Sequence, residues 1–151
     1  MAIFEISVQL AAPASQVYEF FLNPYGRPLV SPPGTGMVIV NSPNPLHVGA
    51  LLEFKVQGMG MVQTMTHEII ELEPNVVMFE RQVKGPLKSF SHRHRFVENG
   101  PNQMTLFDEI EFDPPGGILG LLATEDKLLE NFEDGFYFRN KELGKRFGNV
   151  V

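Results

Sequence analysis

Apolar and polar residues alternate from Ile3 to Leu10, and this alternation predicts a β-strand with one dry face. The pattern then changes to helical spacing at Val17, Phe20 and Phe21. Pro13 stands just before them, where a first helical turn tolerates a missing amide, and Asn23-Pro24 breaks the pattern. The sequence therefore predicts one strand followed by a short helix.

Prolines punctuate the next stretch, from Tyr25 to Pro45. Because proline cannot continue a helix or pair within a central strand, only a broken helical turn and a brief strand at Met37–Val40 fit there. We interpret this stretch as a lid-like loop region. Together with the turn at residues 58–60, it is expected to form the mouth of any internal cavity.

From Ala50 to Pro114 the sequence predicts a meander of antiparallel strands, since short turn signals separate the apolar segments. The turn signals are Gly58-Met59-Gly60, Glu73-Pro74-Asn75, Gly85-Pro86 and Asn99-Gly100-Pro101. With the earlier strands they give a sheet of about six to seven strands.

The last part of the chain, from Gly117 to Phe147, predicts one long amphipathic helix. Its apolar positions recur every three or four residues: Ile118, Leu121, Leu122, Leu128, Leu129, Phe132, Phe136, Leu143 and Phe147. The predicted fold class is thus α+β, a curved antiparallel sheet wrapped around a long C-terminal helix, with two short helices after the first strand. We expect residues 1–148 to form a single ligand-binding domain and 149–151 to be a tail.

Composition narrows the function classes. The chain carries a formal net charge of −6 and its 12 Lys and Arg residues form no run, so nucleic-acid binding is not expected. It has no cysteine, which excludes disulfides and thiolate metal sites and fits a cytoplasmic protein. The apolar run GGILGLLA at 116–123 is far shorter than the roughly 20 residues that span a bilayer, so stable membrane insertion is not expected either.

Strand register predicts which side chains share the inner face. Arg93 and Arg95 lie on one face with Glu109 and Glu111, which suits exposed cross-strand pairs, so the other parity points inward. The inner set is then Phe90, His92, His94, Phe96, Leu106, Asp108, Ile110 and Phe112. If Gly85-Pro86 closes a tight turn, the inward residues of the preceding strand are Val77, Phe79, Arg81 and Val83. The turn at Glu73-Pro74-Asn75 then extends the inner face to Met65, His67 and Ile69.

These segments resemble the polyketide cyclase/dehydrase-like branch of the START-like (SRPBCC) helix-grip superfamily. The resemblance rests on Gly85–Phe96, on Leu106–Ile110 and on Pro115-Gly116-Gly117, and the opening strand and helix agree with it. It implies an internal cavity for an apolar or aromatic ligand between the sheet and the long helix. It does not imply a reaction, because one fold serves many functions.

Three interpretations of the inner polar residues stay open. His92 and Asp108 either form a structural cross-strand hydrogen bond, or fix a polar group of a ligand, or act with His94 in acid–base catalysis with Asp108 as the orienting group. The spacing of His92 and His94 also suits two metal ligands, but no thiolate supports this and no metal is expected. Arg81 and, on the helix, Arg139 either reach water or clamp a ligand carboxylate.

The function we expect is binding or carrying of a small hydrophobic or aromatic, lipid-like or polyketide-like molecule, without a cofactor. The alternative is a polyketide cyclase/dehydrase-type enzyme. Homodimerisation through the sheet edge is left open. The residues predicted to line the site are Phe54, Met65, His67, Phe79, Arg81, Phe90, His92, His94, Phe96, Asp108, Ile110, Phe132 and Phe136.

Overall fold

Seven strands form one antiparallel sheet in the spatial order β1-β7-β6-β5-β4-β3-β2. The structure is a computed structural model that describes residues 1–58 and 60–150, so Met59 of the predicted turn at 58–60 lies outside the described residues. The strands are β1 Ala2–Leu10, β2 Val38–Asn41, β3 Leu51–Gly58, β4 Met61–Glu73, β5 Val77–Lys84, β6 Ser89–Gly100 and β7 Gln103–Asp113. This confirms the predicted fold class.

The helices begin and end near the predicted positions, with one difference. Helix α1 covers Ala14–Leu22, and the proline-rich stretch forms two 3₁₀ helices at Pro24–Val30 and Pro33–Thr35. The predicted C-terminal helix is interrupted, giving α2 at Gly117–Leu122 and α3 at Glu125–Phe147. The hydroxyl of Thr124 caps α3 by accepting a hydrogen bond from the Lys127 amide at 3.3 Å, which fixes a new helix start there.

Among the described residues, no helix is both long and apolar enough to cross a membrane.

The inner face of the sheet carries two apolar clusters with a polar layer between them. One cluster surrounds α1 and the C-terminal half of α3 and contains Leu10, Tyr18, Phe96, Leu106 and Leu143. The other surrounds the N-terminal half of α3 and contains Ile110, Phe112, Leu128, Phe132 and Phe136. Along β6, β7 and α3, the residues between these clusters are His92, His94, Asp108 and Arg139. The polar groups are therefore enclosed by apolar side chains on both sides.

The predicted register of β6 and β7 agrees with the structure, but that of β5 is wrong. His94 lies opposite Asp108, and both are buried. On β5, however, Glu80 lies opposite His92, so the even-numbered residues face inward. Because the Gly85-Pro86 connection runs from Lys84 to Ser89 and is not a two-residue turn, the pairing shifts by one residue and reverses the faces.

The correction moves Phe79 and Arg81 to the outer face. Arg81 is exposed, and the guanidinium of Arg93 stacks over the outward ring of Phe79 at 4.3 Å. Val83 is exposed as well, at 52%. Neither Phe79 nor Arg81 can therefore line an internal site in this structure.

A β-bulge explains why the neighbouring strand nevertheless follows the predicted parity. The pairing of β4 with β5 shifts between Ile69 and Glu71, so one residue has no direct partner and the faces reverse again. Ile69 lies opposite Glu80 and is fully buried, and His67 is buried beside it. The bulge thus brings His67 to the inner face next to Glu80.

Candidate ligand-binding site

Two buried carboxylates organise the polar layer, and the sequence analysis anticipated only one of them. Asp108 projects from β7 and Glu80 from β5, and they are 2% and 1% exposed. Each is matched by an arginine that comes from outside the sheet. Arg139 reaches Asp108 from α3, and Arg27 reaches Glu80 from the first 3₁₀ helix.

Glu80 accepts four hydrogen bonds or charge contacts. The Arg27 guanidinium lies 2.8 Å from one carboxylate oxygen and 3.1 Å from the other. Nδ1 of His67 is 2.7 Å from Oε2, and Nε2 of His94 is 3.2 Å from Oε1. Burial by itself would raise the pKa of Glu80, but the charge of Arg27 and the two histidine hydrogen bonds outweigh it and hold the pKa well below its usual range.

Asp108 is bound in the same manner by Arg139 and His92. One guanidinium nitrogen of Arg139 donates to Oδ1 at 3.0 Å and the other donates to Oδ2. Nε2 of His92 lies 2.7 Å from Oδ1. Burial alone would raise the pKa of Asp108, yet the charge of Arg139 and the hydrogen bond from His92 keep it well below its usual range.

Arg139 is thus engaged by the protein itself and is buried, with 8% of its surface exposed. Its guanidinium also lies over the ring of Phe136 at 4.6 Å and near that of Phe21 at 5.7 Å. Such stacking suits the weakly hydrated guanidinium in an apolar setting. Of the two interpretations offered for Arg139, a head in water and a clamp for a ligand carboxylate, the first does not fit this geometry, and the second would require breaking the pair with Asp108.

His94 stands between the two carboxylates and stacks on His92, with ring centroids 3.7 Å apart. Its Nε2 bonds Glu80, while its Nδ1 lies 3.1 Å from Oδ1 of Asp108 but is not aligned for a hydrogen bond. Glu80, His92 and His94 each offer one potential metal-ligating atom within 4.8 Å of the others. A cation there would have to displace the Arg27 guanidinium from Glu80, which argues against a metal centre.

His92 has one nitrogen that the protein does not use. Burial, followed by the neighbouring charge of His94, lowers the pKa of His92 to about 4, against the opposing effect of Asp108, so the ring is neutral at pH 7. Because ionised Asp108 only accepts, the ring hydrogen is assigned to Nε2. Nδ1 then carries a lone pair, and it has no partner among the described residues. The side chain keeps 9% of its surface exposed.

Aromatic rings surround the exposed edges of the histidines. Phe90 lies 5.1 Å from the ring of His67, and Phe136 lies 5.4 Å from that of His92 in an edge-on arrangement. Phe54 meets His67 edge-on at 4.9 Å, and Phe132 lies 6.2 Å from Phe90. Phe90, Phe132 and Phe136 are only partly buried although they face inward.

The structure places most of the predicted lining residues on this inner side of the sheet and α3. They are Phe54, Met65, His67, Phe90, His92, His94, Asp108, Ile110, Phe132 and Phe136. Phe96 is also on the inner face, but it belongs to the opposite apolar cluster, where it packs on Tyr18 at 5.1 Å. Glu80 and Arg27 were missed, the first because of the wrong β5 parity and the second because nothing in the proline-rich stretch singles it out.

Two concavities of the described residues open at the surface, and neither is lined by His67, His92 or His94. One, of about 440 Å³, lies at the predicted mouth between the turn at Gly60 and the α2–α3 junction, where it reaches Leu122 and Leu128. Leu128 belongs to the same apolar cluster as Phe132 and Phe136. The other, of about 580 Å³, is a surface groove between α1 and residues 46–48 and 72–75.

This combination of a curved antiparallel sheet, a long C-terminal helix and an inward-facing polar layer defines a START-like helix-grip protein. The sequence pattern of the family described as "Polyketide cyclase / dehydrase and lipid transport" matches residues 1–136. The chain belongs to this family. No curated protein matches it closely enough to count as a relative.

Solved structures with the same fold have low sequence identity to the chain. The aromatase/cyclase Zhui from Streptomyces sp. R1128 is similar at a TM-score of 0.70 and 24% identity, covering 95% of this chain and 92% of that one. A protein from Chromobacterium violaceum is similar at a TM-score of 0.75 and 16% identity, covering 99% of this chain and 100% of that one. A START superfamily protein from Mycobacterium smegmatis is similar at a TM-score of 0.64 and 17% identity, covering 96% of both chains. At these identities the likeness shows the fold alone.

The Asp108–Arg139 pair is expected to couple strongly in stability. Asp108→Asn and Arg139→Met should each cost about 3–5 kcal/mol, because each leaves a buried charge without its partner. The double variant should cost less than the sum by at least about 1 kcal/mol in urea unfolding. The exposed pair Arg93–Glu71, at 3.0 Å, is the control, and Glu71→Gln should cost no more than about 1 kcal/mol. Additive effects at Asp108 and Arg139 would contradict the assignment.

The depressed pKa of His92 predicts a loss of stability in mild acid. As the pH falls, His92 takes up a proton near pH 6.5 in the unfolded chain but only near pH 4 in the folded chain. The stability that comes from keeping His92 neutral is therefore fully present above about pH 6.5 and is lost progressively as the pH falls to about 4. Glu80 and Asp108, whose folded pKa values are lowered, begin to lose their contributions to stability as the pH falls through their unfolded values of 4.5 and 3.8, and they do so in the native chain and in a His92→Gln variant alike.

Between pH 7 and 4.5, the free energy of unfolding of the native chain should therefore fall by about 2–3 kcal/mol more than that of a His92→Gln variant. Urea unfolding at the two pH values measures this difference. An equal fall in both proteins would show that His92 is not held neutral by the fold.

Proposed function

We propose that this protein binds a small hydrophobic molecule, aromatic or lipid-like, between α3 and the inner face of the sheet. The observation that carries the proposal is the aromatic wall of Phe90, Phe132 and Phe136 beside the unpartnered Nδ1 of His92. Binding sites for small molecules are typically apolar with a few convergent polar groups that fix orientation. The inner side of this sheet has that composition.

Incomplete burial of the inner aromatic residues supports the proposal. Phe90, Phe132 and Phe136 retain exposed surface although they point toward the interior, whereas Phe112 in the same cluster is fully buried. When a ligand covers large apolar side chains that are partly exposed, the burial of their surface lowers the free energy of the complex. The concavity next to Leu128 lies on the same side and offers a route of entry.

The relatives agree with a ligand-binding role of this kind without deciding between its forms. The family description names both cyclase/dehydrase activity and lipid transport. The Streptomyces protein is described as an aromatase/cyclase. A polyketide-like aromatic ligand and a lipid-like ligand therefore both belong to the proposal.

A retained ligand would test the proposal directly. Native mass spectrometry of the protein purified from its own host should show a molecule of low mass bound in near-stoichiometric amount. Met65→Trp adds bulk on the inner face opposite Phe54 and should abolish retention. Val48→Trp, in the surface groove beside α1, is the matched control and should retain the bound molecule.

Circular dichroism must show that both variants fold. A native protein that is empty and that also binds no hydrophobic fluorescent probe would overturn the proposal.

Acid–base catalysis is the second candidate, and one observation favours it. His92 donates to a carboxylate through Nε2 and leaves Nδ1 free, which is the arrangement of a general base with its orienting group. However, a pKa of about 4 makes this imidazole a weak base at pH 7, and general bases work best with a pKa near the working pH. The electrostatics of the site therefore favour binding.

The probe 5-nitrobenzisoxazole separates the two candidates, since a base that takes its C3 proton causes N–O cleavage and releases a coloured cyanophenolate. We expect the native protein and His92→Gln to release the phenolate at the same slow rate at pH 7. An acceleration of 100-fold or more that His92→Gln removes would establish base catalysis, because positioned bases contribute about 10²–10⁴-fold.

A further inference from the structure

Two ring nitrogens of the inner site have no partner among the described residues and are not fully enclosed, Nδ1 of His92 and Nε2 of His67, and the first belongs to the ring beside Phe136. Nε2 of His92 is committed to Asp108 at 2.7 Å, and Asp108 is fixed by the bidentate contact of Arg139. An ionised carboxylate only accepts, so this geometry places a ring hydrogen on Nε2, and in the neutral ring Nδ1 then carries the lone pair. The ring of His92 lies 5.4 Å from that of Phe136, and the side chain keeps 9% of its surface exposed.

The cationic groups of the layer, in contrast, are already used. Arg27 contacts both oxygens of Glu80, and Arg139 contacts both oxygens of Asp108. Three side-chain nitrogens that lack partners among the described residues are fully enclosed by the protein: Nε of Arg27, Nε2 of Gln63 and Nδ1 of His94. A ligand entering beside the phenylalanines therefore meets the free acceptor of His92 but no unpaired arginine.

An anionic ligand would be disfavoured at this position. It would leave water for an apolar site that already holds two ionised carboxylates, Glu80 and Asp108, and whose arginines are paired. A neutral hydroxyl group has no such cost and supplies the hydrogen that Nδ1 of His92 lacks. A planar aromatic ring next to it would pack against Phe90, Phe132 and Phe136.

We propose that the ligand is an uncharged aromatic molecule bearing a hydroxyl group that donates to Nδ1 of His92, and that the site discriminates against carboxylates. This inference rests on the proposed binding function. It narrows that function, because fatty acids and aromatic acids, which are apolar enough to enter, carry the wrong charge for the polar layer. Phenol-like compounds satisfy both the acceptor and the aromatic wall.

Three probes of one shape test the inference at pH 7: 2-naphthol, 2-methoxynaphthalene and 2-naphthoate. Titration calorimetry should show 2-naphthol binding about 10-fold more tightly than 2-methoxynaphthalene, which cannot donate and leaves Nδ1 unpaired. 2-Naphthoate should bind more weakly than both. In the native protein, the ¹⁵N resonance of His92 Nδ1 should mark a non-protonated nitrogen and should shift with 2-naphthol but not with 2-methoxynaphthalene.

The variant His92→Phe keeps a ring at this position and removes the acceptor. It should lower the naphthol-to-methoxynaphthalene affinity ratio to about 1, whereas His47→Gln, on the outer surface, should leave the ratio at about 10. If His92→Phe does not fold, the comparison of the three probes on the native protein decides by itself.

Two results would overturn the inference while leaving the proposed function intact: equal affinities for 2-naphthol and 2-methoxynaphthalene, or tightest binding of 2-naphthoate. A protein that binds none of the three probes, and no other hydrophobic molecule, would overturn the proposed function and this inference with it.

Discussion

The ion pair between Asp108 and Arg139 is the contact on which the arrangement of sheet and helix depends. Removing two charges from water costs several kcal/mol per ion, and only close, well-oriented hydrogen bonds offset this cost. The bidentate contact of Arg139 with Asp108 provides them, and it exists at only one position of α3 along β7. The ion pair between Arg27 and Glu80 holds the first 3₁₀ helix to the sheet in the same way. The segments that enclose the site are thus tied to the sheet by matched charges.

The apolar clusters and the polar layer need each other. Leu106 and Phe96 close the layer on one side, and Ile110 and Phe112 close it on the other, so water is kept from the ion pairs and their interaction is strengthened. The same dry surroundings lower the pKa of His92 to about 4. A change that admitted water would weaken the ion pairs and raise that pKa together. The stability of the domain and the protonation state of His92 therefore both depend on the exclusion of water by this packing.

The sequence could predict those parts of the fold that local pattern determines. Alternation placed β1, and the short turn at 99–101 fixed β6 against β7, so that His92, His94 and Asp108 were correctly set on one face. It could not predict Glu80, because the longer connection after Lys84 shifts the pairing of β5 with β6 by one residue and reverses every side chain of β5. The bulge before Glu71 and the reach of Arg27 across the interior depend on tertiary contacts. The helix break at Thr124, in contrast, had a visible signal in its capping hydroxyl followed by Glu125 and Asp126.

The electrostatics of the layer explain why one fold can hold either a binding protein or an enzyme. Burial makes Nδ1 of His92 available as a neutral acceptor at pH 7, and the same burial makes it too weak a base to remove most protons. A stronger base would need a more solvated imidazole or a closer anion, and the anion nearest to His92, Asp108, is already neutralised by Arg139. The pairing that holds α3 on the sheet thus also limits the chemistry of the histidine. Under the proposed function, the polar layer would therefore hold a hydroxyl group and leave its proton in place.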